Sequence, residues 1–326
     1  MSFEVLVIDG PTVNDCATRA DFLLAAEDAF RAMGTKAAEM SPKHHWEFSV
    51  GKNAAFSSHL PELGVMAIKL GTIRPRNTER RGLPPGLAQI VLSDADSGAP
   101  LALLDGTVIT TMRTAAAAAL GAKLLARPDS SVVSVFGTGV VALMSLHAVA
   151  DLFPVNAAHV VGSSIERSSA FVQAHAAQFA FPLCASPPEA AAREADLIVT
   201  ATTASTPVIE DAWLRPGTHI SAMGSDWRGK QEVDTTTLLR SALVTDSRRQ
   251  CLEIGEGNVP HSAGCLQESD IAAELGEVLI GAAPGRSDER QITVFDSSGI
   301  APQDCAAAKH VYDRARSLGA GITVTL

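Results

Sequence analysis

The chain has 326 residues, 46% of them hydrophobic and 19% charged, enough apolar side chain to bury the cores of two domains. Its formal net charge of −10 and the lack of any long Lys/Arg run argue against a nucleic-acid partner, so an anionic ligand must be drawn in by local cations and helix N-termini. The five cysteines, Cys16, Cys184, Cys251, Cys265 and Cys305, lie far apart and never in CxxC spacing, which indicates neither a zinc site nor a disulfide framework.

The N-terminus is acidic and too short for a signal sequence, and no apolar run reaches membrane-spanning length, so the expectation is a cytoplasmic protein. Residues 5–8 predict a strand, Asp9-Gly10-Pro11 a turn, and residues 18–33 a helix with Phe22, Leu23, Ala26, Phe30 and Met33 on one face, stopped by Gly34. Residues 46–104 are strand-like, with apolar runs at 65–70, 88–93 and 100–104. The last two are joined by the hairpin composition Asp94-Ala95-Asp96-Ser97-Gly98. An alanine-rich helix follows over 107–126.

Strands at 132–136, 159–162, 196–201, 219–223, 242–246 and 291–296 then alternate with helices at 140–151, 166–178 and 187–194. The alternation predicts an α/β fold, a Rossmann-type doubly wound parallel sheet inserted in a discontinuous α+β domain. The expected boundaries are 1–115 plus 300–326 for a substrate-binding and dimerisation domain, to which a last helix at 303–318 returns. Residues 116–299 form the dinucleotide domain.

The strand at 132–136 runs into Gly137-Thr138-Gly139-Val140-Val141-Ala142 and then an apolar helix. This is GxGxxA in its required context: a glycine for the tight turn, one for backbone approach to a pyrophosphate, and a small residue for helix–strand packing. The next strand ends at Gly162-Ser163-Ser164, with Glu166 and Arg167 beyond, and has no acid where a ribose 2′-hydroxyl would be accepted. Ser163, Ser164 and Arg167 tilt the expectation toward NADP(H), while Glu166 and Arg167 also read as ordinary first-turn helix charges.

Four other features point to chemistry. Lys69 stands inside an apolar strand, and Arg113-Thr114 precedes five alanines. Gly224-Ser225-Asp226 follows a strand at the edge where α/β sheets bind ligands, as does Phe295-Asp296-Ser297-Ser298-Gly299. Bland alternatives stand beside these: a strand lysine can reach solvent, Arg113 can pair with a carboxylate, and Asp226 can be a turn aspartate. Two cations and one carboxylate beside a nicotinamide suit binding of a substrate carboxylate by Lys69 and Arg113, with Asp226 handling a proton at the adjacent C–N centre.

Several ordered segments together resemble the ornithine cyclodeaminase/mu-crystallin family. They are the lysine strand with Pro75-Arg76-Asn77, then Leu103-Leu104-Asp105-Gly106 and the run from Thr110 to Ala116. Val135-Phe136-Gly137-Thr138-Gly139 and the run from Ala195 to Thr202 with Pro207 follow. Pro216-Gly217-Thr218-His219, the run from Gly224 to Glu232, and Val294 to Gly299 with Asp304 complete the set.

The resemblance implies a homodimer with an active site between the two domains. It implies substrate-carboxylate binding by Lys69 and Arg113, and catalysis by Asp226. A further substrate arginine of the family falls on Lys43, a departure from the cyclodeaminase pattern. The cofactor positions implied are Thr114, Gly137, Thr138, Gly139, Val140, Val141, Ser163, Ser164, Arg167, Thr200, Ala201, Thr202, Met223, Gly224 and Ser298, and no metal is expected. The expected function is an NAD(P)H-dependent reductase or dehydrogenase of a 2-imino or 2-amino acid. The alternatives are a redox-neutral cyclodeaminase with bound NAD, or a non-catalytic NADP-dependent binding protein of the mu-crystallin kind.

Overall fold

In the computed structural model, which describes residues 3–326, two compact units form: residues 3–113 with 300–326, and residues 114–299. The first begins with β1 (Glu4–Ile8), α1 (Gly10–Cys16) and α2 (Arg19–Gly34). It continues through β2 (Glu39–Met40), β3 (His44–Phe48), β4 (Gly51–Leu60), β5 (Val65–Ile73), α3 (Asn77–Arg81), β6 (Gly86–Asp94) and β7 (Pro100–Asp105). Helix α4 (Gly106–Leu125) leads out of it into the second unit.

The second unit holds β8 (Val132–Phe136), α5 (Val140–Ala150), β9 (Ala157–Val161), α6 (Ile165–His175), β10 (Leu183–Ala185), α7 (Pro188–Glu194), β11 (Leu197–Thr200) and β12 (His219–Ala222). It ends with α8 (Thr235–Arg240), β13 (Ala242–Thr245), α9 (Arg248–Glu253), α10 (Asn258–Ser262), β14 (Ile271–Glu274), α11 (Leu275–Leu279) and β15 (Thr293–Asp296). The chain then returns to the first unit through α12 (Ala301–Leu318) and β16 (Ile322–Thr325).

The sheet of the first unit runs β16-β1-β7-β6-β5-β4-β2, with β3 paired to β4. All its pairs are antiparallel except β1 with β7. In β5, Val65, Ala67 and Lys69 are buried while Met66, Ile68 and Leu70 are exposed, so both faces of this strand carry apolar side chains. That two-sided pattern explains why its sequence reads as a continuous apolar run.

The second sheet is parallel throughout, in the order β10-β9-β8-β11-β12-β15-β13-β14. Its direction of winding reverses between β8 and β11, the switch point at which such sheets bind ligands. The alanine run of α4 supplies the small surfaces expected of a buried helix. Ala115 to Ala119 are all buried, and a Cβ on Gly121 would stand 2.4 Å from the Phe295 ring.

Several local expectations are corrected. Asp9-Gly10-Pro11 is a helix start, not a turn, because Asp9 Oδ1 accepts from the Thr12 amide at 2.9 Å and proline is tolerated in the first turn. The parallel sheet has eight strands, not six: β10 and β14 are its edge strands, paired on one side only, and they lack the run of buried residues that marks the inner strands. The α6 helix ends at His175, and residues 176–178 tighten into a 3-10 turn. Helix α4 is long and apolar enough by length and composition to cross a membrane, against expectation, and 67% of that segment is buried inside the protein.

Candidate functional site

Lys69 is 5% exposed, yet it carries an ammonium on the buried face of β5. Its Nζ donates to Asp304 Oδ1 at 2.7 Å and to Thr110 Oγ1 at 3.3 Å. Arg113, on α4, donates from Nη1 to Gln303 Oε1 at 2.8 Å, and its Nε lies 3.3 Å from the same Asp304 oxygen as an ion contact. Gln303 and Asp304 stand in the first turn of α12, so two cations from distant parts of the first unit meet one carboxylate.

The Phe56 ring lies 4.8 Å from Lys69 Nζ and 5.1 Å from Lys43 Nζ, and favours positive charge over its face. Burial pulls the Lys69 pKa down to about 7, with Asp304 opposing that shift and Arg113 adding to it. Asp304 Oδ2 and Gln303 Nε2 are buried without hydrogen-bond partners. Such atoms are costly unless a ligand or water completes them. The charge balance of Lys69 and Arg113 against Asp304 leaves positive charge for an incoming carboxylate, held with charge-assisted bonds.

In the second unit, β8 ends at Phe136 and the backbone turns at Gly137 with φ +128°, a region that disfavours side chains. A Cβ there would stand 2.5 Å from the Ala201 carbonyl at the end of β11, so hydrogen alone fits where the two strand ends converge. Gly139 caps α5 without any side-chain bond, Gly139 and Val140 are exposed, and Val141 is half-buried. The first-turn amides of this eleven-residue helix thus have no side-chain cap, an arrangement suited to a pyrophosphate.

A cavity of about 610 Å³ opens beside the turn, lined by Thr138, Ser163, Arg167, Ala201, Thr202 and Trp213 among others. Ser164 caps α6, accepting from the Arg167 amide at 3.4 Å, and its bond to Glu166 lowers the pKa of that carboxyl. Glu166 is thereby engaged in the helix's first turn, and the end of β9 offers Gly162 and Ser163 instead of an acid. The fit to a dinucleotide rests on the close approach at Gly137, the uncapped helix and the adjoining cavity.

Asp226 follows β12 and accepts from Lys230 Nζ at 2.9 Å, with its side chain 48% exposed. Lys230 Nζ also donates to the Gly224 carbonyl, so one ammonium ties the two ends of the turn. Met223 and Thr114 are buried. The hydroxyls of Thr200 and Ser298 turn inward: Thr200 donates to Glu232 Oε2 at 2.6 Å, and Ser298 to Asp246 Oδ1 at 3.0 Å. Any contact these two residues make with a cofactor thus leaves their hydroxyls engaged below it.

Sequence reasoning assigned no role to Asp304, Gln303 or Phe56. The signal for Asp304 was its place in a matching segment; Phe56 had none, since its partners are set by the pairing of β4 with β5.

A model of the ornithine cyclodeaminase/mu-crystallin family matches residues 12–319. The chain is 35% identical to alanine dehydrogenase of Archaeoglobus fulgidus, over 98% of this chain and 97% of that one. Among solved structures, an archaeal alanine dehydrogenase dimer with bound NAD superposes with a TM-score of 0.94 at 35% identity, covering 99% of both chains. The Thermococcus litoralis Delta(1)-pyrroline-2-carboxylate reductase in complex with NADH and L-proline gives a TM-score of 0.93 at 32% identity, covering 98% of this chain and 100% of that one.

Proposed function

The chain belongs to the ornithine cyclodeaminase/mu-crystallin family, and on that premise we propose that it is an NAD(P)H-dependent reductase or dehydrogenase interconverting a 2-imino acid and a 2-amino acid. The observation that carries the reading is the meeting of Lys69 and Arg113 on one carboxylate, which leaves a buried cationic site for a 2-imino carboxylate. The relatives named above, a dehydrogenase of an amino acid and a reductase of a cyclic imine, share that chemistry.

When bound, a nicotinamide supplies or accepts a hydride. The chain's own residues do the rest. Lys69 and Arg113 hold the substrate carboxylate and so orient C2. Hydride addition to a protonated imine leaves a neutral amine, and the half-exposed Asp226, protonated from solvent, passes that proton on to give the ammonium. In the reverse direction Asp226 removes that proton before C2 is oxidised. Lys230 fixes the carboxyl of Asp226.

Gly137, Thr138, Gly139, Val140 and Val141 take the pyrophosphate in this reading. NADP(H) is the favoured form, because Ser163, Ser164 and Arg167 follow β9 where no acid stands. Lys43 replaces an arginine of the cyclodeaminase pattern, which favours the redox reaction over ornithine cyclisation. A homodimer is part of the same reading. The exposed apolar Met66, Ile68, Leu70, Val91 and Leu103 form one face of the first sheet suited to a second copy, and a monomer in sedimentation experiments would remove that assignment.

The test is loss of nicotinamide absorbance with a panel of 2-oxo acids plus ammonia or methylamine, run with NADH and NADPH side by side. Turnover with one amine–oxo acid pair is expected, with NADPH preferred; a clear NADH preference would overturn the cofactor assignment. Ammonia and proline formed from ornithine without net cofactor change would overturn the reaction.

A further inference from the structure

Beneath the ends of β11 and β12 lies a carboxylate that the proposed reaction does not use. Glu232 is fully buried. It accepts from Thr200 Oγ1 at 2.6 Å, from the Thr202 amide at 2.6 Å and from the Gly224 amide at 2.7 Å. Thr200 and Thr202 bracket Ala201, whose carbonyl sits against Gly137 at the switch point, while Gly224 lies two residues past the end of β12. One side chain thus joins both strand-end segments.

The contact with Gly224 is close enough that a Cβ there would stand 2.4 Å from Glu232 Oε1. Glu232 is itself held from below. Glu256 accepts from the amides of Glu232 and Val233, each at 2.9 Å to Oε2, and the Glu256 amide donates to Asp296 Oδ2 at 3.1 Å. Among the described residues no group of three or more His, Cys, Asp or Glu is placed to hold a metal ion. Burial raises the Glu232 carboxyl, and its three donors act in the opposite sense.

We infer that Glu232 is a positioning residue that sets the spacing of the Thr200–Thr202 and Gly224 segments where the dinucleotide binds. The inference rests on the nicotinamide reading above. All three partners donate, so a carboxylate satisfies them and an amide does not. In Glu232→Gln the amide oxygen can serve the Thr202 donor and the Thr200 hydroxyl can rotate to accept, but the amide nitrogen then faces the Gly224 N–H. In Glu232→Ala all three donors lose their partner in the interior, and the two segments are free to separate.

The test is fluorescence titration of the intact protein with NADH and with NADPH, alongside steady-state KM values for the substrate pair found above. Glu232→Gln is expected to raise the cofactor Kd about tenfold and Glu232→Ala further, with the KM for the imino acid unchanged at saturating cofactor. Thr200→Val removes one donor, keeps the carboxylate, and is expected to raise the Kd about threefold; it carries the test if the Glu232 variants do not fold. Wild-type cofactor affinity in Thr200→Val or in folded Glu232→Gln would overturn the inference. Equal losses of cofactor and imino-acid affinity, marking general loosening, would overturn it too. If the wild-type protein binds neither NADH nor NADPH, the underlying reading falls first, and the two failures are told apart.

Discussion

Replacing Lys69 by methionine is expected to raise the KM for the 2-imino acid about 100-fold, with cofactor affinity unchanged. The side chain keeps its length against the Phe56 ring but loses the charge, so Arg113 alone faces both the substrate carboxylate and Asp304. The size follows from leaving a desolvated carboxylate short of one charge-assisted partner, a loss of about 2–5 kcal/mol in comparable pairs. A KM within a few-fold of wild type would mean that Lys69 does not touch the substrate.

The same residue sets a pH dependence. With its pKa at about 7 in the free protein, Lys69 loses its ammonium as pH rises through that value. The KM for a carboxylate substrate should therefore climb above about pH 7, and this inflection should be absent in Lys69→Met. The stability sign is opposite to that of an ordinary ion-paired lysine. A folded pKa depressed below the usual 10.5 means the unfolded chain binds more protons between the two values. The Lys69 contribution thus makes folding more favourable as pH rises from about 7 toward 10.5, which urea titrations across that window can read.

Asp226→Asn should lower kcat by roughly 100- to 10,000-fold, the range usual for removal of a proton-transferring group, while leaving both KM values close to wild type. Asparagine preserves the shape and can still accept from Lys230, so the loop should hold. A variant turning over near the wild-type rate would place the proton on another group or on solvent.

What could be read in the sequence was what lies close along the chain. The glycine turn is legible because strand, glycines and helix follow one another within about twenty residues, and each glycine has a local steric reason. Lys69 is legible as a cation in an apolar alternation. Its partner is not, because Asp304 lies 235 residues further on and reaches it only when α12 packs on the first sheet. Glu232 is named in a matching segment, yet its work depends on two strand ends brought together by sheet pairing. Asp9-Gly10-Pro11 is ambiguous in sequence because the same residues suit a turn and a helix start. The edge strands β10 and β14 offer no buried apolar run, because each is covered on one side only in the sheet.

The inward-turned hydroxyls of Thr200 and Ser298 carry a similar lesson. Both residues stand at strand ends where a cofactor is expected, and position alone suggested direct contact. Their hydrogen bonds instead lead into buried acids, and the Ser298 hydroxyl joins Ser297 Oγ and the Gly299 amide on Asp246. At these two positions the side-chain hydroxyls hold the strand ends from beneath.

In the proposed reaction a hydride passes from the reduced nicotinamide to C2 of the 2-imino acid and stays in the amino-acid product. The most direct measurement is mass spectrometry of the amino acid formed when the active 2-oxo acid and amine are reduced with cofactor carrying deuterium at both positions of the nicotinamide C4. One deuterium at C2 per cofactor oxidised is the predicted result. Product without label at C2 would contradict it.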